Sequence, residues 1–445
     1  MTMMGIKKVH SFLLKETSIL PLVIFRMAFG FLKCFSMVRF MYNGWIEKCY
    51  TNPEFHFTYQ FFDWIQPLNI EGMYFVVSLS ALSALFIGLG LFYRIATILF
   101  FITFTYLELI EKSWYLNHYY FVSLVAFLLI LVPANRFFSV DVKLFKSSKL
   151  HSVPYWTILI FKLQLCVVYL FGGIAKLKSD WLFVAQPLKI WLKAKTDVPF
   201  IGWLLEYDVT PYLFSWSGMV YDLAIPFLLF IKKTRPIAYV FVVIFHVLTH
   251  ILFNIGMFPW LMIFGSLVFI SHQEWNTIVG LFGKNIQIQK NKPQLKTNKT
   301  TFIFLTIFFV FQFIFPLRHH LLSDNVLWTE NGFRFSWHVM IMDKNGFTEF
   351  TVIDKKTNKR WIEYPNHHLS AIQEQQMSFQ PDMIWQYAQF LKEKYTKNCI
   401  DNVSVFVDAR VSLNGRVSQR FINPKKDLTE IKKVDTMYDY VLKLN

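Results

Sequence analysis

A chain of 445 residues that is 54% hydrophobic, 19% aromatic and only 17% charged is too apolar for an ordinary soluble domain, where charged residues make up about a quarter. Its 50 Phe and 14 Trp exclude a disordered chain, and its 17 Gly and 16 Pro are too few for a collagen-like one. A net charge of +16 would suggest nucleic acid as partner of a soluble protein, but here the basic excess lies in loops between apolar runs, the pattern of an integral membrane protein.

Apolar stretches long enough to cross roughly 30 Å of hydrocarbon begin near Ser18, Gly72, Ile95, His118, Tyr155, Tyr212, Pro236, Phe258 and Thr301, which predicts about nine transmembrane helices. The first carries Arg26, Lys33 and Arg39, and the eighth is short. Lys and Arg collect on the cytoplasmic side of short loops. The segments before the first span and after the second, fourth, sixth and eighth are basic, as in Lys232, Lys233 and Arg235, whereas the intervening loops are acidic or nearly balanced. This alternation predicts a cytoplasmic N-terminus, a first span retained as a signal anchor, and an extracytoplasmic location for everything beyond about Pro316.

That last stretch reads as folded. WHVMIMDKNGFTEFTVIDKKTNKRWIEY has the pattern of a strand meander, PDMIWQYAQFLKEKY that of a helix opened by Pro381, and VSVFVDARVSLNGRVSQRFI that of a hairpin turning at Asn414-Gly415. The predicted organisation is an α-helical integral membrane bundle over residues 1–317 and a C-terminal extracytoplasmic β-rich domain over residues 318–445. Between the eighth and ninth spans, NIQIQKNKPQLKTNKT reads as a polar cytoplasmic linker.

Cysteines at 34, 49, 166 and 399 form neither CxxC nor a zinc spacing. Cys34 and Cys166 fall inside spans as small packing residues, while Cys49 and Cys399 map to the outer side, where a bridge and two free thiols are alternatives. Polar residues at membrane depth are costly and mark candidate sites, although those near helix ends often only snorkel. Lys176 closes the fifth span in VVYLFGGIAKLKSDW, where Gly172-Gly173 permits close backbone approach; it reads either as a snorkelling or as a chemical residue. His118, in EKSWYLNHYYF, lies on the same side and either belongs to an aromatic belt or converges with Lys176 on one pocket. His246 and His250 share a helical face, a spacing open to a metal or to hydrogen bonding within the bundle, and Asp222 is an intramembrane acid in need of a cation such as Lys176. There is no Walker loop, no GxGxxG after a strand and no GxSxG.

Taken in order, EKSWYLNHYYF, PANRFFSVD, FGGIAKLKSDW, FHVLTHILFNIGMF, WTENGFRFSWHVM and VDARVSLNGRVSQRFINPKKD resemble the vitamin K-dependent gamma-glutamyl carboxylases, from about residue 20 to residue 430. The resemblance implies a membrane enzyme that oxidises vitamin K hydroquinone, or menaquinol, with O2 to the 2,3-epoxide and adds CO2 to glutamate side chains of a secreted protein, with no metal. It implies that Lys176 is the catalytic lysine and Asn117 with His118 the functional pair. His246, Phe258 and Met262 fall where the family contacts the quinone, and Trp337 with Met340 where it lines the glutamate and quinone site. Phe333 and Phe335 stand where the family usually has tyrosines, which leaves open a hydroquinone epoxidase uncoupled from glutamate. A transporter or non-enzymatic quinone-binding protein is a third reading, against which stand the lack of repeated halves and the scarcity of acids in the spans. The expected setting is a bacterial inner membrane, or the endoplasmic reticulum in a eukaryotic host.

Overall fold

The computed structural model describes residues 3–145, 149–253, 255–280, 298–321, 325–432 and 439–444. Its apolar helices are α1 (Leu20–Tyr42), α2 (Ile70–Leu89), α3 (Tyr93–Ile110), α4 (Asn117–Leu131), α5 (Trp156–Ala175), α6 (Thr210–Phe230), α7 (Arg235–Phe253), α8 (Phe258–Ser266) and α9 (Lys299–Ile314). Seven helices among the described residues are long and apolar enough to cross a membrane, the last counted from Lys299 through Leu321. α4 and α8 fall where the fourth and eighth spans were predicted but are shorter. The 15 residues of α4 rise about 22 Å, less than the hydrocarbon thickness, because Pro133 follows its last turn.

Local chemistry sets where these helices start and how closely they pack. The Asn69 side chain caps α2 by accepting from the Gly72 N–H (3.0 Å), and Gly90, at φ 65°, ends it. α1 and α2 meet at Gly30 and Gly88, where a Cβ on Gly30 would sit 2.2 Å from the Gly88 nitrogen. Glycine is therefore required for that approach. The segment PANRFFSVD ties the ends of three helices: Asp141 accepts from the Phe92 N–H (2.7 Å) and from Asn135 Nδ2 (2.7 Å), while buried Arg26 donates to the Phe138 carbonyl (2.7 Å).

Beyond the bundle, β1 (Lys344–Asp354), β2 (Arg360–Glu363), β3 (Val403–Leu413) and β4 (Gln419–Arg420) form an antiparallel sheet in the order β2-β1-β3-β4. Alternate residues Val403, Val405, Val407, Ala409, Val411 and Leu413 are buried, the period of two that packs one sheet face. That face meets α11 (Pro381–Lys397) through Met383, Ile384, Tyr387 and Leu391; α10 (Ala371–Met377) precedes it, opened by a Ser370–Gln373 capping box. The C-terminal unit thus combines a four-stranded sheet with helices, among them the one expected to open at Pro381. Its predicted hairpin turn is present, with Asn414 at φ 52° and Gly415 at φ 77°. The predicted meander begins only at Lys344, because Phe335, Trp337 and Met340 take φ of 62°, 59° and 53° and wind the chain out of extended geometry. Most of the predicted polar linker, residues 285–297, lies outside the described residues. Cys49 is buried and Cys399 exposed, and both are free thiols.

Ion pairs fasten the unit to the bundle. Asp382, at the start of α11, receives Lys112 (2.7 Å), from the loop before α4, and Arg334 (2.8 Å). Burial alone would raise the Asp382 pKa, but the charges and hydrogen bonds of Arg334 and Lys112 outweigh it and hold the carboxyl well below the usual range. A depressed folded pKa gives stability that is complete well above the unfolded value of about 4 and drains away as pH falls from there toward the folded value. Asp382→Ala, which leaves two cations without their partner, is expected to cost about 3 kcal/mol at pH 7 and less at pH 3. Thermal unfolding of the detergent-solubilised variant and wild type at the two pH values measures this, and an equal cost at both would remove the ion pairs from the account.

Candidate active site

Lys176 caps the C-terminus of α5, and two glycines one turn earlier decide what it meets. A Cβ on Gly173 would lie 2.7 Å from Leu223 Cδ2 and 3.1 Å from the Leu223 nitrogen, so glycine leaves room for α6 to pack closely here. The approach brings Asp222 within reach: Lys176 Nζ donates to Asp222 Oδ2 (2.7 Å) and to the Gly172 carbonyl (3.2 Å), and it lies 5.3 Å from the Trp181 ring centroid. The side chains of the pair are 8% and 10% exposed. The intramembrane acid thus has its cation, and the lysine bends inward to it instead of snorkelling to the interface.

The pair faces a cavity of about 320 Å³, within the range of small-molecule sites. Val168, Leu188, Phe245 and Leu252 make its wall apolar. On that wall Tyr169, two helical turns before Lys176, shares a hydrogen bond with His246 Nε2 (2.9 Å), while His246 Nδ1 is buried and has no partner among the described residues. Phe258, Met262 and Met340 complete the lining. Five of the residues singled out in the sequence, Lys176, His246, Phe258, Met262 and Met340, therefore surround one space.

Asn117 and His118 line a different one. Their cavity, about 550 Å³, is also walled by Lys33, Arg39, Trp45 and Trp114. Phe258 and Met340 line both cavities, and the Phe258 ring stands 5.7 Å from the His118 ring and 6.0 Å from that of His246. The expected convergence of His118 and Lys176 on a single pocket is corrected to two adjoining cavities, because the first residue of α8 and the loop carrying Met340 wedge between them. Asn117 helps to place that loop: its Nδ2 donates to the His338 carbonyl (3.1 Å) and its Oδ1 accepts from the Tyr115 hydroxyl (3.0 Å).

Trp337, expected to contact the cofactor, lines neither cavity. It is fully buried and stacks on Tyr120 with ring centroids 5.1 Å apart, its backbone turn directing it away from the site that Met340 enters. His250 packs on Trp260 (5.5 Å), apart from the cavity that His246 lines. Among the described residues no group of three or more His, Cys, Asp or Glu is arranged to hold a metal. Phe335 is surrounded by the rings of Tyr59, Tyr115 and Tyr120, and its N–H donates to the Tyr115 hydroxyl (2.7 Å). Sequence reasoning passed over Tyr169, although its seven-residue offset from Lys176 places both on one helical face.

An apolar cavity inside a membrane bundle, with a lysine–aspartate pair and a histidine–tyrosine pair in its wall, defines a membrane protein whose site suits an apolar ligand with a few polar handles. Residues 14–275 match the family model described as the HTTM domain, and residues 297–445 match the one described as the vitamin K-dependent gamma-carboxylase lumenal domain. No solved structure matches the chain. The chain belongs to the vitamin K-dependent gamma-carboxylase family, which implies a carboxylase-type function with vitamin K as cofactor and glutamate-containing protein as substrate.

The buried pair can be tested as a pair. Asp222→Leu leaves the Lys176 ammonium uncompensated and is expected to lower stability by about 3–5 kcal/mol, whereas Lys176→Met combined with Asp222→Leu should recover most of the loss. Thermal unfolding in detergent compares the two variants, and a double variant no more stable than the single one would mean that the two charges are not coupled.

Proposed function

We propose that this protein is a vitamin K-dependent gamma-glutamyl carboxylase in which the Lys176 cavity takes the hydroquinone and the His118 cavity the glutamate side chain. The observation that carries the reading is a lysine paired to a carboxylate on the wall of an otherwise apolar cavity. The cavity suits the cofactor: its walls match a lipid-soluble ring, Lys176 offers an amine to one ring oxygen, and His246 Nδ1, buried without a partner, offers a hydrogen-bonding atom to the other. When bound, the hydroquinone is oxidised by O2 to the 2,3-epoxide and so supplies a base strong enough to take a glutamate γ-proton, far too weak an acid for any side chain, after which CO2 adds at that carbon.

The residues of the chain do the rest. Lys176 Nζ, left neutral when the proton in its 2.7 Å contact lies on Asp222 Oδ2, receives the proton of the ring hydroxyl, and Asp222 Oδ2 and the Gly172 carbonyl hold the resulting ammonium. Tyr169 fixes the His246 ring by binding Nε2, which keeps Nδ1 turned to the ligand. Phe258 and Met340, shared by both cavities, form the boundary at which the two substrates meet and keep bulk water from a carbanion that must encounter CO2 before a proton. Asn117 holds the Met340 loop, and His118, which makes no hydrogen bond among the described residues, is free to orient the glutamate.

In this reading the N-terminus is cytoplasmic and the C-terminal unit faces outward, where a secreted polypeptide arrives; the membrane is a bacterial inner membrane, and the boundary between the units falls at residues 317 and 318. A second reading, an epoxidase uncoupled from glutamate, rests on Phe333 and Phe335.

A reconstituted assay with vitamin K hydroquinone, labelled bicarbonate and a glutamate-rich peptide distinguishes them by measuring epoxide and fixed label together. Wild type is expected to give both products, and Lys176→Ala to lose at least about 100-fold of each. Epoxide without fixed label supports the uncoupled enzyme, and neither product rejects both readings. His118→Ala should lower fixed label more than epoxide; equal losses would move His118 to quinone handling.

A further inference from the structure

The His118 cavity carries a charge imbalance that the mechanism leaves unused. α1 contributes both Lys33 and Arg39 to its wall, and no carboxylate lines it. Lys33 is only 3% exposed. Neither side chain forms a hydrogen bond or an ion pair among the described residues: Lys33 Nζ sits 4.3 Å from the Phe104 ring centroid and Arg39 lies over Trp45 (5.2 Å). Glu108, which acts on Lys33 electrostatically, turns its Oε2 to the Ser123 hydroxyl (2.8 Å) and does not reach the cavity wall. Lys176, by contrast, has Asp222 at 2.7 Å. Two cations facing one space inside an apolar bundle, with no facing acid, form a site completed by an anion.

We propose that Lys33 and Arg39 are specificity residues that bind the side-chain carboxylate of an acidic residue on a polypeptide, and that they hold the geminal dicarboxylate more tightly than the single carboxylate. The inference rests on the carboxylase reading and deepens it. In that reaction one γ C–H bond of glutamate breaks, its proton going to the base generated in the neighbouring cavity, and one C–C bond to CO2 forms. The side chain therefore changes from one negative charge to two. Cations fixed in place beforehand stabilise the second charge as it develops and need no reorganisation to do so. The surroundings fit such a side chain, since Asn117 and His118 offer further hydrogen-bonding groups while Phe40, Trp45 and Trp114 flank its methylenes. Val339 and Met340, in the segment leading to the sheet unit, also line this cavity, so it lies where a polypeptide at that unit can insert a side chain.

Binding of three fluorescent peptides, identical except for γ-carboxyglutamate, glutamate or glutamine at one position, tests this with full-length protein in a neutral detergent free of anionic lipid. Wild type is expected to bind them in that order of decreasing affinity. Lys33→Met and Arg39→Gln should each reduce the preference for γ-carboxyglutamate over glutamine by about tenfold or more, with the glutamine peptide bound as before, which also reports that the variants are folded. Lys33→Arg should keep the preference. Equal affinity for the three peptides in wild type, or a preference that survives both neutral substitutions, would overturn the proposal. Fixed label in the reconstituted assay without a charge preference here fails this inference alone; a charge preference without fixed label fails the carboxylase reading and leaves an acidic-peptide site.

Discussion

A charge inside an apolar helical bundle has to find its opposite within one hydrogen bond, and the Lys176–Asp222 pair meets that requirement through a backbone feature. The lysine ends α5 and the aspartate sits mid-way along α6, and Gly173 eases their meeting by leaving room for Leu223 of α6. The close approach pulls the amine away from the membrane interface and turns it into a cavity whose other walls are hydrocarbon. Tyr169 and His246 repeat the logic for neutral groups, each satisfying the other on one side and leaving one buried ring nitrogen without a partner among the described residues. Positive charge, its compensation and an uncommitted hydrogen-bonding atom are thus gathered at one place in the bundle.

The C-terminal segment contributes Val339 and Met340 to the walls of both cavities. The loop before the sheet leaves extended geometry at Phe335, Trp337 and Met340, which sends Trp337 into a stack on Tyr120 and Met340 between the two spaces. Asn117 secures the loop from the bundle side. The Lys112–Asp382 pair, the Gln373–Glu111 contact and the Asp180–Arg416 pair join the remaining surfaces. Bundle and sheet unit together shape the candidate site.

Much of this was legible in the sequence. Hydropathy located each apolar helix to within a few residues, and the glycines before Lys176 announced the close packing that the structure shows. Hydropathy showed the eighth span to be short but not the fourth, because an apolar run continues to read as a span up to the proline that ends the helix. Nor did spacing along the chain separate His118 from Lys176: that separation depends on how far one phenylalanine and one methionine intrude between helices, a property of three-dimensional packing. Trp337 was misplaced for a related reason, since three residues with positive φ reverse which side chains face the site and none of them is glycine, the usual signal. Lys33 and Arg39 were visible as charges in a span, but whether they faced lipid, an acid or an empty space required the rotation of α1.

The shallow seating of α9 gives the architecture a further property. Among the described residues of this helix only Leu305 and Gln312 are buried, so most of its surface faces away from the bundle while it joins the bundle to the sheet unit. The segment matched to the lumenal domain begins at residue 297 and thus includes it. α9 is in effect a leash. A folded unit tied this closely is presented to its docking surface at an effective concentration in the millimolar range or above, so the polar contacts at Lys112, Glu111 and Asp180 have only to select one orientation.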